Sequence, residues 1–106
     1  DYNYAGESYD AVVISALAAA KAKSTDGRTI AANINAITNG PDKCNTYQQC
    51  LEMLGQNKDI GYVGQTGDLA FNKSGEPTNG SYGILEFTNK NTLVDPVAKY
   101  VKVKAN

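Results

Sequence analysis

The chain has 106 residues with 10 basic and 11 acidic side chains, so its formal net charge is −1 and its length is that of one domain at most. No basic patch or stripe is visible, which argues against nucleic-acid binding, and no apolar run approaches the ~18 residues of a membrane span. Histidine is absent, so the commonest general base and the Ser–His and Cys–His nucleophile pairs are missing. This argues against hydrolase chemistry and leaves carboxylate-based mechanisms open, and our expectation is a protein that is not an enzyme.

The first predicted helix spans Glu7–Lys23. Apolar side chains recur in it at the spacing of one helical face, and these are Tyr9, Val12, Val13, Ala16, Leu17 and Ala20. The acidic residues Glu7 and Asp10 lie in its first turns and two lysines lie in its last, which matches the helix macrodipole. The many alanines allow close packing against a sheet or another helix, and Tyr9 is expected in the core.

Two shorter helices are predicted next. Residues 24–27 interrupt the chain and supply N-cap candidates for a helix from about Gly27 to Thr38. Its apolar stripe consists of Ile30, Ile34 and Ile37. The segment Asn39-Gly40-Pro41 ends this helix, with Gly40 expected in the left-handed conformation. A third helix is predicted from about Tyr47 to Leu54, with Gly55 as its stop. Its inward residues are Cys50, Leu51 and Leu54.

Cys44 and Cys50 allow three interpretations. A structural zinc site needs about four ligands, and this chain offers two cysteines and no histidine. Free buried thiols and a disulfide are the other two, and we favour the disulfide. Six steps along one helix would part the Cα atoms by ~9 Å, too far for a bridge, so Cys44 should precede the helix that carries Cys50. Thr46 and Gln49 form a capping box that would start this helix.

The second half of the chain is predicted to contain the strands. Residues 61–67 carry three glycines and are interpreted as a tight loop rather than a phosphate-binding loop, because no Gly-Lys-Ser/Thr follows. Leu69–Phe71 is predicted as a short strand, followed by turn residues 72–77. Ser81–Thr88 is expected to be a strand partly buried on both sides. Ala98–Lys104 is predicted as a terminal, half-exposed strand.

The order of these segments resembles a known family. The motifs are Tyr9-Asp10-Ala11-Val12 opening an Ala-rich helix, Ser24-Thr25-Asp26-Gly27 before the next helix, Cys44 and Cys50 flanking a short helix, residues 58–64, and Gly67 to Asn72 with Gly75-Glu76-Pro77. Together they are similar to the C-terminal region of the branched-chain amino-acid (Leu/Ile/Val) type of ABC-transporter substrate-binding protein. The similarity covers the chain from about Tyr4 to Thr88, and residues 89–106 add little to it.

This resemblance implies an α/β fold in which the chain is a fragment of a type I periplasmic-binding protein. Three helices (about 7–55) would be followed by a β-hairpin and a C-terminal strand (about 60–104). Residues 1–106 would form a single partial domain, the C-terminal part of a two-lobe solute-binding protein whose lobes close over the ligand. The chain opens at Asp1 without an initiator Met or a signal peptide, so we expect a processed product or a cut piece.

The function that the resemblance implies is extracytoplasmic solute capture for an ABC importer, with an amino acid of the branched-chain type or a close analogue as ligand. The implied partners are the membrane permease and the remainder of the same binding protein, without nucleic acid, cofactor or metal. An aromatic residue lies at the cleft just before the Tyr-Asp-Ala helix in some family members. That position corresponds most closely to Tyr4 here, and Tyr9 and Asp10 are further candidates for ligand contact.

The implied location is the periplasm or the outer face of the bacterial cytoplasmic membrane, where a Cys44–Cys50 disulfide would persist. Two alternatives share the implied fold. One is a ligand-sensing receptor ectodomain, and the other is an amide- or urea-specific binding protein. An enzyme is the least favoured reading, because no catalytic constellation is visible and the implied fold is a binding scaffold.

Overall fold

The computed structural model describes residues 3–94 and 99–105, and it is a mixed α/β structure of three helices and two small sheets. The elements in chain order are α1 (Ala5–Ala22), α2 (Gly27–Thr38), β1 (Asp42–Cys44), α3 (Tyr47–Gly55), β2 (Ile60–Gly64), β3 (Gly67–Asp68), β4 (Asn79–Ile84) and β5 (Lys99–Lys104). The predicted α/β class and the three helices are therefore confirmed, but the strands do not all follow the helices, because β1 lies between α2 and α3.

The starts of α2 and α3 follow from their capping residues. The Asp26 carboxylate accepts hydrogen bonds from the Thr29 backbone N–H (2.9 Å) and hydroxyl (2.8 Å), which satisfies a free donor of the first turn of α2. At α3, the Thr46 hydroxyl accepts from the Gln49 N–H at 3.1 Å. The Gln49 side chain reaches back to the N–H of Asn45 instead of Thr46, so the predicted capping box is displaced by one residue on that side.

The first sheet has the strand order β1-β2-β3. β1 and β2 are parallel and are connected by α3, whereas β2 and β3 form an antiparallel hairpin. The interpretation of residues 61–67 as a loop is wrong for its first part, because Ile60–Gly64 is the central strand of this sheet. The strand was missed because its glycines were read as loop residues.

Glycines at two positions allow the backbone near β1 to approach β2. The Gly40 N–H donates to the Ile60 carbonyl at 3.0 Å, and a Cβ atom at Gly40 would overlap the backbone of Asp59 and Ile60. A Cβ atom at Gly61 would likewise overlap the Gly40 carbonyl oxygen. The expectation that Gly40 is left-handed is wrong, since its φ is not positive. The residue is glycine for reasons of space rather than of conformation.

The face that α1 buries overlaps the predicted one only in part: Val13 and Leu17 are buried as predicted, whereas Tyr9 and Val12 are not. Its buried residues are Asp10, Val13, Ile14, Leu17 and Ala18, which follow the i, i+3, i+4, i+7, i+8 pattern of one helical stripe. The expectation that Tyr9 lies in the core is wrong, because Tyr9 is 52 % exposed, and Val12 is 70 % exposed. The prediction considered only apolar side chains, whereas the stripe that faces the core begins with a carboxylate.

The hydrophobic core lies between the three helices and the first sheet. Its buried members are Val13, Ile14, Leu17, Ala18, Ile37, Cys44, Cys50, Ile60, Tyr62 and Leu69. α1 packs against α2, α3 and β2, so it lies at the centre of these contacts. Of the three α3 residues predicted to face inward, Cys50 is buried and Leu54 is partly buried, but Leu51 is 39 % exposed. None of the helices in the described residues is long and apolar enough to cross a bilayer.

The second sheet consists of β4 and β5, which pair antiparallel with Ser81 opposite Lys102. The predicted C-terminal strand is confirmed over Lys99–Lys104, and its predicted first residue, Ala98, lies outside the described residues. The expectation that Ser81–Thr88 is a strand partly buried on both sides is wrong in its extent and its burial, because β4 ends at Ile84 and residues 81–88 are all exposed. Apart from β5, the main neighbour of β4 among the described residues is the two-residue strand β3, which covers little of its surface.

Residues 69–78 connect the two sheets without forming the predicted strand Leu69–Phe71. Phe71 makes only an isolated bridge with Pro77. The side-chain amides of Asn35 and Asn39 donate to the carbonyls of Asn72 (2.9 Å) and Phe71 (3.0 Å), so these acceptors bind α2 instead of a neighbouring strand. This connection is thereby held against the end of α2.

Candidate functional site

The most extensively hydrogen-bonded side chain described is the carboxylate of Asp10, in the second turn of α1. It is 2 % exposed and accepts four hydrogen bonds from three residues of β2 and of the turn that follows it. We call this group, made of Asp10, Tyr62, Gln65 and Thr66, the Asp10 cluster. It joins two parts of the chain that are more than fifty residues apart.

The four bonds divide evenly between the two carboxylate oxygens. Oδ1 of Asp10 accepts from the Tyr62 hydroxyl at 2.9 Å and from the Gln65 backbone N–H at 2.8 Å. Oδ2 accepts from the Thr66 backbone N–H at 2.9 Å and from its hydroxyl at 2.7 Å. An ionised carboxylate has only acceptors, so this set of four donors satisfies it without a paired cation.

The donors are presented by the turn between β2 and β3. Val63 pairs with Asp68 and Gly64 with Gly67, so Gln65 and Thr66 form a two-residue hairpin turn with consecutive N–H groups directed at the carboxylate. Gly67 has a φ of 106°, which an L side chain rarely adopts. A Cβ atom at Gly64 would overlap the Asp10 carboxylate itself. The Asp10 cluster therefore requires a residue without a side chain at position 64.

The electrostatics of the cluster favour the ionised form of Asp10. Burial raises the pKa of this carboxyl, but the hydrogen bonds from Thr66, Gln65 and Tyr62 lower it by more, so the pKa lies below its ordinary value. The opposite holds for Tyr62, whose pKa is raised by burial and by the hydrogen bond and negative charge of Asp10. The pair is therefore held as a neutral phenol and a carboxylate anion.

Tyr4 and Tyr9, the other residues predicted to contact a ligand, lie at the solvent-facing start of α1. Tyr4 is the N-cap residue, is 77 % exposed and has a left-handed φ of 62°. Its side chain makes no capping hydrogen bond, and its carbonyl accepts from the Ser8 N–H at 2.9 Å. Tyr9 directly precedes the buried Asp10. Both aromatic rings reach solvent, whereas Asp10 is engaged by the protein, and ligand contact stays a prediction for all three.

The start of α1 lies at one particular edge of the first sheet. We call the end at which the parallel strands stop, after Cys44 in β1 and Gly64 in β2, the carboxyl edge. The Asp10 cluster attaches the second turn of α1 to the residues immediately after β2. The first turn approaches the same place, because a Cβ atom at Gly6 would lie 3.3 Å from Cγ2 of Thr66.

The predicted disulfide between Cys44 and Cys50 is confirmed. Their Cα atoms are 5.4 Å apart, and both residues are buried. As expected, Cys44 lies outside the helix, at the end of β1, while Cys50 lies in the first turn of α3. The bridge therefore fixes the start of α3 at the carboxyl edge. Among the described residues no group of three or more His, Cys, Asp or Glu side chains could hold a metal ion.

Sequence reasoning missed the partners of Asp10. Two signals pointed to them. Asp10 begins the buried stripe of α1, and the glycines at 64 and 67 enclose two residues, which is the pattern of a tight hairpin. Neither signal indicates which carboxylate meets which turn.

Comparison of the chain with protein-family models, curated proteins and solved structures finds no match.

Proposed function

We propose that this chain is part of an extracytoplasmic solute-binding component of an ABC importer, which encloses an amino acid of the branched-chain type, or a close analogue, between two lobes. The proposal starts from the ordered motifs of the sequence. Its expected partners are the small ligand, the remainder of the same binding protein and the permease in the membrane.

The observation that carries the proposal is the position of the start of α1 at the carboxyl edge. In open α/β sheets, ligands bind outside the carboxyl ends of the parallel strands. The Asp10 cluster holds the first turns of α1 at that edge of the sheet, and Tyr4 and Tyr9, at the start of the same helix, are exposed. A tyrosine combines an apolar ring with a polar tip, which suits the wall of a small-molecule site.

The disulfide supports the compartment in this proposal. A bridge between Cys44 and Cys50 persists in oxidising surroundings and is rare in a reducing cytosol. A protein that captures solutes outside the cytoplasmic membrane works in such surroundings. We therefore assign the proposed function to the periplasm or to the outer face of that membrane.

The remainder of the binding protein is needed for affinity. An amino acid carries an ammonium and a carboxylate, and removing either from water without partners costs more than one ring contact returns. Two exposed tyrosines offer no such pair of partners. A second lobe that closes over the ligand would supply them and would exclude water.

Calorimetry tests the proposal directly. The intact protein that carries this chain is titrated with leucine, isoleucine, valine and alanine, and saturable binding of at least one is expected. The D-enantiomer of the ligand that binds is the control, because an enclosed site that contacts both charges distinguishes the two hands. Titration of the 106-residue chain alone should be flat.

Two results would count against this function. Tight binding of an amino acid by the 106-residue chain alone would contradict the two-lobe arrangement. Failure of the intact protein with every amino acid, combined with binding of an amide or urea, would favour the amide-specific alternative. A signalling domain joined to the same polypeptide would favour the receptor alternative.

A further inference from the structure

We propose that Asp10 is a positioning residue for ligand binding: its carboxylate fills an anion site formed by the β2–β3 turn and thereby holds the start of α1, with Tyr4 and Tyr9, at the carboxyl edge. The inference rests on the proposed function for the identity of the ligand. The anion site itself rests on the geometry of the Asp10 cluster alone.

The donors of the cluster form an anion site by their arrangement. Two consecutive backbone N–H groups, of Gln65 and Thr66, point into one concave turn, as in the backbone nests that bind anions. Two hydroxyl groups, of Thr66 and Tyr62, complete the set. The described structure supplies one acceptor group to all four donors, and that group is the side chain of Asp10.

The cluster also compensates for a weak helix start. Tyr4 is a poor N-cap residue, and its side chain makes no capping hydrogen bond to α1. The first acidic side chain, Glu7, is exposed and forms no ion pair within the described part of the chain, where Asp10 is the first side chain of the helix that bonds to another element. The direction of the first two turns, and with it the position of Tyr4 and Tyr9, depends on this attachment.

Two substitutions at Asp10 show whether the carboxylate acts as an anion or only as a part of the packing. Asp10→Ala removes the carboxylate and leaves the anion site empty. Asp10→Asn keeps a side chain of similar size in the site, but it is uncharged and its NH2 group, a donor, faces the donors of the turn. Hydrogen exchange of the intact protein is measured at the Gln65 and Thr66 amides, with the helix 47–55 as an internal reference. Both variants should exchange faster at the turn, while the reference helix stays unchanged.

Formate provides the decisive readout, because it is a free carboxylate that can occupy the emptied site. Adding sodium formate to Asp10→Ala should restore slow exchange at Gln65 and Thr66 in a saturable manner, and sodium chloride at equal ionic strength should do so less. Asp10→Asn should not respond, since its site is filled. A side chain that acts only through packing would not be replaced by an anion, so absence of rescue would overturn the inference.

The ligand measurement connects the anion site to function. With the amino acid that binds the intact protein, Asp10→Ala should raise the dissociation constant about tenfold, which corresponds to about 1.4 kcal/mol. Formate should recover most of the affinity in this variant only. An unchanged dissociation constant in Asp10→Ala would refute the positioning role. The milder variant Thr66→Val removes one hydroxyl donor and keeps the N–H, so it should show a smaller effect if Asp10→Ala fails to fold.

The two possible failures are distinguishable. If the wild-type intact protein binds no amino acid, the proposed function fails and the positioning role fails with it. Formate rescue in the exchange experiment still decides whether the anion site exists. If the wild type binds and the Asp10→Ala variant binds equally well, the inference alone is wrong.

Discussion

The hydroxyl of Tyr62 donates a 2.9 Å hydrogen bond to Oδ1 of Asp10, although the two residues are 52 positions apart in the chain. Both side chains are buried, so this bond links the second turn of α1 to the central strand of the first sheet. Because the acceptor is charged and both partners are shielded from water, the bond should contribute measurably to stability.

The Tyr62 hydroxyl can be removed without changing the ring. Tyr62→Phe leaves Asp10 with three donors and should lower the free energy of unfolding by about 1.5–3 kcal/mol, the range for a hydrogen bond to a charged group. Tyr47→Phe is the matched control, since Tyr47 is 40 % exposed and should give a change near zero. Equal costs in the two variants, measured by urea unfolding, would show that the hydroxyl of Tyr62 is not engaged as described.

A substitution at Gly64 tests whether the space beside the Asp10 carboxylate must stay free of a side chain. In Gly64→Ala the new methyl group would overlap the Asp10 carboxylate, so the Asp10 cluster must open. We expect a loss of more than about 2 kcal/mol, as for other overpacked or broken buried networks. Gly55→Ala is the control, because a Cβ atom at this α3 position meets no atom within 4 Å. That variant should be stabilised by about 0.5–1 kcal/mol in thermal unfolding.

The face of α1 that packs inward can be checked with two truncations on one helix. Leu17 is fully buried, and Leu17→Ala should cost about 2–5 kcal/mol. Val12 is 70 % exposed, so Val12→Ala should be nearly neutral or slightly stabilising because alanine favours helix. Comparable losses in chemical denaturation for both variants would mean that α1 is rotated relative to the structure.

The disulfide should account for part of the stability. Replacing Cys44 and Cys50 together by alanine opens a loop of six residues and should lower the free energy of unfolding by about 2 kcal/mol on the loop-entropy account. Thiol titration of the unreduced, denatured protein should find no reactive sulfhydryl. Two titratable sulfhydryls in protein isolated from its native compartment would contradict the bond and weaken the extracytoplasmic assignment.

Acid should weaken the fold through Asp10. Its pKa is lower in the folded protein than the ordinary value of 3.8, so its contribution to stability is complete above that value and is lost as the pH falls through the lower folded pKa. Asp26, whose pKa is lowered by hydrogen bonds from Thr29, acts in the same direction. Unfolding of Asp10→Asn should therefore depend less on pH than wild type below about pH 4. Parallel curves would exclude Asp10 as a contributor.

Local sequence rules predicted the helices and the bridge well. Asp26 and Thr46 start α2 and α3 because their side chains satisfy donors a few residues away, which a sequence pattern can reveal. Cys44 and Cys50 are the two cysteines of the chain, too few for a zinc site without histidine, and helix geometry predicts only that Cys44 lies outside α3. These features depend on neighbours in the chain.

The candidate site is formed by contacts between residues far apart in the chain, and local sequence patterns do not predict such contacts. The sequence predicts Asp10 as a charge near the start of a helix and as a candidate for ligand contact, whereas in the structure its carboxylate accepts from donors at Gln65 and Thr66 on another element. Gly61 was read as a loop residue because its close approach to Gly40 is visible only after the strands are paired. Such features require the tertiary arrangement, and a pattern in one segment cannot predict them.

The disulfide has a consequence for the order in which the chain can fold. Its cysteines are six residues apart, whereas Asp10 must wait for donors more than fifty residues downstream. A polypeptide that emerges N-terminus first, from a ribosome or a translocation pore, can close the bridge as soon as Cys50 has left. The carboxylate of Asp10 stays hydrated until Tyr62 to Thr66 follow. Oxidation of the thiols therefore does not depend on completion of the first sheet, and docking of α1 onto β2 is the later event.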